Sequence, residues 1–282
     1  TSTPLSTEHN CRVVRRHPGL SFLTNSPNFH GKYVETVVCR IFYSAATADN
    51  RRITKKQLIQ SDLIEVLRQL DEEEDINDIW RYFSYEHFYV IYCKFWELDS
   101  NHDFLINLAD LESYAEYALT KVVLRRVAEG APLNYRKRDP AKMDYWEFIC
   151  FMLSEEDKTT EAAVRYWFRL LDMDGDGVLS AYELQHFFRE QSGRISEISE
   201  DPIKFYDVLV QLNDMVGPTK KGQFRSAELM RCKNAPLFFN MLFNLTKFAM
   251  HEQRDPGLID ARRSTPHMTD WDYYAANEYA RY

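Results

Sequence analysis

A stretch of twelve residues in the second half of the chain contains four carboxylates, three of them at alternate positions. The stretch reads DMDGDGVLSAYE and contains Asp172, Asp174 and Asp176, then Gly177, and finally Glu183. A Ca²⁺ ion takes about six to eight oxygen ligands, and a twelve-residue loop between two helices supplies them from positions 1, 3, 5, 7, 9 and 12. Glycine at position 6 permits the sharp turn that such a loop requires. The pattern therefore predicts an EF-hand calcium site.

The predicted ligands of this loop come from six positions. They are Asp172, Asp174, Asp176, the backbone carbonyl of Val178, Ser180 (directly or through water) and Glu183. The alternative is an acidic, solvated turn that binds nothing. Apolar residues recur at helical spacing on both sides, at Trp167 and Leu171 before the loop and at Leu184 and Phe188 after it. This flanking pattern favours a helix–loop–helix unit over a simple turn.

A second acidic loop lies upstream, DSNHDFLINLAD. Its ligands would be Asp99, Asn101, Asp103, the carbonyl of Leu105, Asn107 and Asp110. Phe104 occupies position 6, where a left-handed backbone would cost about 1 kcal/mol or more. Asp110 at position 12 has a shorter arm than glutamate, and the loop has three carboxylates against four. We therefore expect weaker Ca²⁺ binding here than at 172–183, and the alternative is a loop that keeps its shape without metal.

The same local pattern recurs three more times. In each acidic loop an aliphatic residue at position 8 is followed five residues later by an apolar one, and this spacing also begins at Ile53, Met143 and Phe224. These three copies lack acidic ligands; their positions 1, 3 and 5 hold Ala46, Ala48 and Asn50, then Arg136, Arg138 and Pro140, then Gly217, Thr219 and Lys221. The repeats predict that loop 99–110 pairs with a silent loop at 136–147, and loop 172–183 with one at 217–228.

The chain as a whole is expected to be all-α. Nine glycines and few alternating β-branched runs argue against an extensive sheet. We predict an elongated array of paired EF-hand-like helix–loop–helix units, with only short strands where loops meet. The expected domains are an N-terminal segment 1–35, a first EF-hand-like region 36–155, a second 156–250, and a C-terminal connector with a short helix at 251–282.

Composition excludes several functional classes. The net charge of −8 disfavours a nucleic-acid partner. Five cysteines without a CxxC pair predict a reducing compartment and no zinc. No apolar run is long enough for membrane insertion. Phosphate-binding glycine loops, HExxH and GxSxG are absent from the sequence, so the chain is not expected to be an enzyme.

Several long motifs resemble one known family. They are HPGLSFL at 17–23, ETVVCRIFYS at 35–44, DINDIWRYFSYEHFYVIYCKFWELD at 75–99, FICFMLSEEDK at 148–158, RYWFRLLDMDGDGVLS at 165–180, LFNLTKFAMHEQRDP at 242–256 and DWDYYAANEY at 270–279. This combination resembles the B-double-prime regulatory subunits of protein phosphatase 2A, over about residues 12–282. That family carries two Ca²⁺-binding EF-hands, and its first loop also lacks the position-6 glycine.

The resemblance implies a calcium-binding regulatory subunit of a heterotrimer. Its partners would be a helical-repeat scaffold subunit, a catalytic subunit with the phosphatase site, and phosphoprotein substrates. Such a subunit directs substrate choice and localisation without chemistry of its own. The expected location is the cytoplasm, with the nucleus, centrosome or cytoskeleton as further sites.

Two other functions stay open from the residues alone. A stand-alone EF-hand calcium sensor would bind a partner helix in a groove. A structural protein would use Ca²⁺ only to rigidify its fold. The eight dispersed methionines argue against the methionine-rich groove of a sensor.

Overall fold

The computed structural model describes residues 17–25, 27–46, 51–135, 137, 139, 141–198, 203–253 and 267–282. Within them lie fourteen α-helices, three short 3₁₀ segments and four three-residue strands. Arg136, Arg138 and Pro140 of the predicted silent loop fall outside the described residues, as do 1–16 and much of the predicted C-terminal connector, 254–266. The prediction of an all-α chain with only short loop strands is confirmed. No helix in the described ranges combines the length and apolarity required to cross a bilayer.

The α-helices follow one another through the described residues. They are α1 (Pro27–Ala45), α2 (Lys55–Gln60), α3 (Leu63–Glu72), α4 (Tyr85–Leu98), α5 (Leu108–Glu112), α6 (Lys121–Ala128), α7 (Tyr145–Glu156), α8 (Glu161–Leu171), α9 (Ala181–Ile198), α10 (Phe205–Val216), α11 (Ser226–Arg231), α12 (Ala235–Phe243), α13 (Leu245–Gln253) and α14 (Asp270–Tyr279). The 3₁₀ segments are Pro18–Asn25, Ile76–Asp78 and Tyr114–Tyr117.

The four strands form two antiparallel pairs between loops. They are β1 (Leu105–Asn107), β2 (Lys142–Asp144), β3 (Val178–Ser180) and β4 (Gln223–Arg225). β1 pairs with β2 and β3 with β4. In the second pair, Leu179 lies opposite Phe224, and both side chains are fully buried. The loop pairing predicted from the repeat is therefore confirmed.

All five repeat copies share one local device at the end of their loops. The side chain at position 12 accepts a hydrogen bond from the backbone N–H of position 9. In four of the five copies the position-9 side chain in turn accepts the N–H of position 12; the guanidinium of Arg225 has no acceptor and makes only the first bond. The pairs are Thr54–Gln57, Asn107–Asp110, Asp144–Glu147, Ser180–Glu183 and Arg225–Glu228. This reciprocal arrangement satisfies backbone groups that the helix itself leaves unpaired. The repeat therefore extends to the copy around Ile53.

The chain divides into two compact units. The first comprises Thr1–Phe104, Asp144–Leu153 and Trp271–Tyr282, and the second Leu105–Met143 and Ser154–Asp270. The sequence-based domain ranges stay a prediction.

The first unit is built around α1 and α4. Its apolar cluster includes Leu23, Val37, Leu70 and Phe88, each at most 4 % exposed. Arg40 of α1 lies inside this unit, where its guanidinium donates to the carbonyls of Tyr82 (3.0 Å) and Trp80 (2.8 Å). These bonds satisfy a charge that would be costly to bury alone. They fix α1 beside the segment that leads into α4 and, at its end, Asp99.

The second unit is built around Trp167 of α8. This side chain is fully buried, and its ring lies 4.6 Å from that of Phe243 in α12. Its indole N–H donates to the carbonyl of Ser154 at 2.7 Å. Trp167 therefore holds α8 against α12, and α8 ends where the acidic loop begins.

Candidate metal centre

Asp172 joins helix α8 to the acidic loop. Its backbone N–H still bonds to the carbonyl of Phe168 at 2.9 Å, while its side chain turns into the loop. There the two carboxylate oxygens accept the N–H groups of Gly175 (2.9 Å) and Gly177 (3.0 Å). Both glycines have positive φ, at 72° and 79°. A Cβ at Gly177 would meet no neighbour within 4 Å, so this backbone angle is what calls for glycine there.

Three loop carboxylates converge on one point. Asp172, Asp174 and Asp176 each offer an oxygen within 4.8 Å of the others, and in the described part of the chain no other such acidic trio is found. Two like charges about 4 Å apart repel by roughly 1 kcal/mol even in bulk water. Burial raises the pKa of Asp172, the N–H groups of Gly177 and Gly175 oppose that rise, and the charges of Glu183 and Asp176 add to it. A cation would relieve this repulsion.

Glu183 closes the loop from the first turn of α9. Its carboxylate is buried, and it accepts the N–H of Met173 at 2.7 Å and both the N–H and the hydroxyl of Ser180 at 2.8 Å. The donors that this loop can offer are all oxygens, from carboxylates, a hydroxyl and a backbone carbonyl. Hard cations such as Ca²⁺ prefer this set, whereas zinc sites favour sulfur and nitrogen. The residues present therefore fit Ca²⁺.

The first half of the upstream loop shares two features with the 172–183 loop: positive φ at positions 4 and 6, and a position-1 carboxylate that accepts the N–H of position 6. Asp99 ends α4 and is fully buried, and its carboxylate accepts the N–H groups of Asp103 (3.3 Å) and Phe104 (2.8 Å). The φ angles of His102 and Phe104 are 54° and 61°. These are positions 4 and 6, where the other loop has Gly175 and Gly177. The left-handed backbone anticipated at Phe104 is present.

The second half of that loop lies in the second unit. Asn107 accepts the N–H groups of Ala109 (2.8 Å) and Asp110 (3.1 Å), and Asp110 accepts the N–H of Asn107 at 3.1 Å. Leu105 begins β1, as position 7 of an EF-hand loop should. Among the described residues, the carboxylates of Asp99, Asp103 and Asp110 do not form a close trio like that of the 172–183 loop. Their binding of a second ion stays a prediction.

Aromatic side chains cover the upstream loop, a feature that the sequence reasoning missed. His102 stacks on Trp96 with ring centroids 3.8 Å apart, and Phe104 stacks on Phe95 at 6.2 Å. Lys32 lies 5.0 Å from the Phe104 ring. The sequence did contain a signal for the backbone at His102. Gly175 occupies the same loop position, and a glycine there indicates a left-handed conformation that His102 must also adopt. These stacking contacts offset the backbone cost at His102 and Phe104.

Glutamate at position 12 does not by itself identify a metal loop. Glu228 of the silent 217–228 loop accepts the N–H groups of Thr219 (2.9 Å) and Arg225 (2.8 Å). Glu147 bonds in the same way to Asp144. In these loops the carboxylate has a structural task at the start of a helix. Positions 1, 3 and 5 therefore separate loops suited to metal from silent ones.

Comparisons with protein families agree with this geometry. An EF-hand domain family model matches residues 7–73, and an EF-hand domain pair model matches residues 88–189. The first match covers the repeat around Ile53, and the second contains both acidic loops.

Curated relatives share one kind of name. The chain is 44% identical over 270 residues to the alpha member of the B'' regulatory subunits of serine/threonine-protein phosphatase 2A in Homo sapiens, covering 95% of this chain and 24% of the relative. It is 44% identical over 269 residues to a probable B''delta regulatory subunit of Arabidopsis thaliana, covering 95% of this chain and 50% of the relative. The chain thus spans from about a quarter to about half of these relatives.

A solved structure is also similar. It is described as a PP2A PR70 holoenzyme and labelled diCa. The TM-score is 0.80 and the sequence identity 44%, with 85% of this chain and 88% of that chain covered.

Proposed function

The chain belongs to the family of B'' regulatory subunits of serine/threonine-protein phosphatase 2A, and on this premise we propose that it is a calcium-binding regulatory subunit of the heterotrimeric phosphatase. It docks on the scaffold and catalytic subunits and directs substrate choice and localisation. The observation that carries the proposal is the 44% identity to a chain of a PP2A PR70 holoenzyme, with 88% of that chain covered. The relatives are named regulatory subunits, in agreement with the prediction that this chain is not an enzyme.

A regulatory subunit of this kind works by raising local concentration. A phosphoprotein held on its surface meets the catalytic subunit at an effective concentration set by geometry rather than by its bulk concentration. Substrate preference then changes without any catalytic group in this chain. The cytoplasm, with the nucleus, centrosome or cytoskeleton as further sites, is the proposed location.

Two Ca²⁺ ions complete the proposed subunit. The first would be held by Asp172, Asp174, Asp176, the Val178 carbonyl, Ser180 and Glu183, and the second, more weakly, by Asp99, Asn101, Asp103, the Leu105 carbonyl, Asn107 and Asp110. The ion supplies a positive charge that fixes the loop oxygens and the angle between flanking helices. It can shift scaffold affinity only by its difference in affinity for the free and bound conformations.

A pull-down tests the assignment. The chain is mixed with purified scaffold and catalytic subunits, once with Ca²⁺ and once with a chelator. We expect a ternary complex that weakens with chelator. Equal binding in both conditions would keep the subunit assignment and reduce the ion to a structural part. Absence of binding in both would overturn it in favour of a stand-alone sensor that binds a partner helix.

A matched pair of variants assigns the coupling to one loop. Asp99→Asn with Asp103→Asn removes two charges from the upstream loop and keeps an oxygen to accept the Phe104 N–H. We expect this variant to lower scaffold affinity, because we propose that helix α4 and this loop lie near the scaffold. Asp172→Asn with Asp176→Asn makes the same change, at positions 1 and 5, in the other loop and serves as the control. Unchanged scaffold binding by the first variant would contradict the placement.

A further inference from the structure

Two cysteines face each other between helices α1 and α7. The sulfur of Cys39 lies 3.7 Å from that of Cys150, although 111 residues separate them in sequence. Cys39 is fully buried, whereas Cys150 is only half-buried. The described free cysteines also include Cys93 and Cys232, and no contact of either with another cysteine sulfur is found in the described part of the chain.

The two helices are held in register around this pair. One turn before Cys39, the hydroxyls of Thr36 and Tyr145 are hydrogen-bonded at 2.8 Å. On the other side, the rings of Phe42 and Trp146 meet edge to face at 5.7 Å. These contacts limit the relative movement of α1 and α7. The sulfurs are thus kept in contact by the packing rather than by a flexible loop.

A disulfide requires only a small approach from this position. Its sulfur–sulfur bond is about 2.05 Å long, so the two atoms must come closer by roughly 1.7 Å. Rotation of the half-buried Cys150 side chain together with a small helix shift can supply this. Pairs on separate, distant surfaces would instead need the backbone to rearrange.

The hydrogen bonds give the two thiols different roles. The single proton of the Cys39 thiol can be donated either to the Trp146 carbonyl or to the Cys150 sulfur, each of which lies 3.7 Å from the Cys39 sulfur. Burial first, and then the neighbouring Cys150, raise the pKa of Cys39 well above its ordinary value. Cys39 therefore stays protonated and can donate to a thiolate on Cys150. Cys150 has both the exposure and the supporting donor that an attacking sulfur needs.

We propose that Cys39 and Cys150 form a reversible, peroxide-sensitive dithiol–disulfide pair that links α1 to α7. The thiolate of Cys150 attacks hydrogen peroxide; an S–O bond forms, the O–O bond breaks, and the leaving hydroxide takes up the proton that Cys150 released. The Cys39 sulfur then attacks the sulfenic sulfur of Cys150. The S–S bond forms, the S–O bond breaks, and the departing hydroxide leaves with the Cys39 proton as water. Both sulfurs are oxidised, and one peroxide is reduced to two waters.

The disulfide would restrain the start of helix α7 and raise the unfolding temperature. Helix α7 begins at Tyr145, directly after β2, and β2 pairs with β1 at the end of the upstream acidic loop. A covalent bond from α1 to Cys150 fixes the first two turns of α7. The oxidised chain is therefore expected to unfold at a higher temperature than the reduced one, because the cross-link also restricts the unfolded chain.

Peptide mapping tests the pair directly. The reduced full chain is treated with a small excess of hydrogen peroxide, free thiols are blocked with N-ethylmaleimide, and the non-reduced digest is analysed by mass spectrometry. We expect a linked pair of peptides containing Cys39 and Cys150, its loss after dithiothreitol, and a melting temperature several degrees above that of the reduced chain. Blocked Cys39 and Cys150 alongside oxidised Cys93 or Cys232 would overturn the proposal.

Single variants separate the two roles. In Cys39→Ser, oxidation of Cys150 should stop at the sulfenic acid, which dimedone traps. In Cys150→Ser, Cys39 should remain a thiol because it is buried. Cys93→Ser is the control and should form the link as the unchanged chain does. Each variant is first compared with the unchanged chain by reduced-state melting, so that a folding defect is recognised. Oxidation of Cys39 in Cys150→Ser, or loss of the link in Cys93→Ser, would contradict the assignment.

Discussion

At the scale of single residues, the two acidic loops solve the same backbone problem with different side chains. Gly175 and Gly177 adopt positive φ without a side chain to strain, whereas His102 and Phe104 adopt it and gain ring contacts with Trp96 and Phe95. A left-handed conformation costs a residue with a Cβ about 1–3 kcal/mol. Aromatic stacking contributes about 0.5–1.5 kcal/mol beyond area burial. The two effects are therefore of similar size.

Two substitutions at Phe104 separate backbone strain from stacking. Phe104→Ala and Phe104→Gly both lose the ring, and only glycine relieves the positive φ. We expect the glycine variant to be the more stable by about 1 kcal/mol, measured by urea denaturation followed with tryptophan fluorescence. Gln185, exposed within α9, supplies the control, because there the alanine variant should be the more stable by about 1 kcal/mol. If the glycine and alanine variants ranked in the same order of stability at both positions, the proposed backbone strain at Phe104 would be contradicted.

The closing glutamates allow an equally matched test of metal binding. Glu183 and Glu228 both stand at position 12 and both accept backbone N–H groups. Glu183→Gln should lower Ca²⁺ affinity at least about tenfold, or about 1.4 kcal/mol, because it removes a charged bidentate ligand. Glu228→Gln should leave the affinity unchanged. Isothermal titration calorimetry gives both values, and equal losses would refute the assignment of loop 172–183.

At the scale of elements, helix α9 does more than follow the acidic loop. Glu190 on α9 accepts the N–H groups of Lys121 (2.8 Å) and Val122 (3.0 Å) at the start of α6, where Thr120 makes no side-chain cap. Arg194, one turn later, donates to the carbonyls of Tyr117 and Ala118. The segment that it holds is strained, since Ala115, Glu116 and Tyr117 all have positive φ. One helix thus caps α6 and restrains the turn before it.

Removing the Glu190 carboxylate should release the start of α6. Glu190→Ala leaves two helix N–H groups without their acceptor, which costs about 1–2 kcal/mol. We expect faster amide hydrogen exchange in a peptide covering residues 115–124, measured by mass spectrometry. Glu197→Ala, at an exposed position near the end of the same helix, is the control and should leave that exchange unchanged. Unaltered exchange in Glu190→Ala would show that the cap is dispensable.

At the scale of the whole molecule, the C-terminal helix completes the first unit. Trp271 of α14 donates its indole N–H to Nδ1 of His87 at 3.2 Å, and Arg40 donates to the same nitrogen at 3.0 Å. Two obligate donors leave Nδ1 no role except acceptor, which places the imidazole proton on Nε2. The neutral His87 thereby joins Trp271, 184 positions away in the sequence, and Arg40, 47 positions away.

This histidine makes stability sensitive to acid. Burial, and then the charge of Arg40, hold the pKa of His87 well below its ordinary value, although Asp272 lies 3.8 Å from Nε2. Below about pH 6.5 the unfolded chain binds a proton that the folded chain does not, so the free energy of unfolding falls as pH falls, by up to about 1.4 kcal/mol per pH unit. His87→Gln keeps a hydrogen-bond acceptor but removes the group that takes up a proton on unfolding. The free energy of unfolding of this variant should therefore fall less steeply as pH is lowered. Denaturation series between pH 7 and pH 5 measure it, and equal slopes would contradict the assignment.

Local sequence alone determined the helix–loop–helix units, the candidate ligands and which loops pair. This was possible because each loop carries its own spacing of ligands, turn residues and strand aliphatics, and Leu179 and Phe224 pair as that spacing predicts. The same local logic did not reveal the shared position-9 to position-12 bonds, because position 12 holds glutamine, aspartate or glutamate in different copies and no single residue type marks the bond.

Only the tertiary structure decided the contacts between distant segments. Three examples are the Trp271–His87–Arg40 cluster, the Cys39–Cys150 pair and the Glu190 cap. Their bonded residues are between 47 and 184 positions apart in the sequence. The local pattern of each helix indicates only which face is apolar. Burial makes each of these contacts specific. A buried donor or charge is costly without a hydrogen-bond partner, and the packing of the helices places only a few candidate partners within reach. Spacing along the chain therefore fixes the loops, and the packing of helices fixes which polar groups meet.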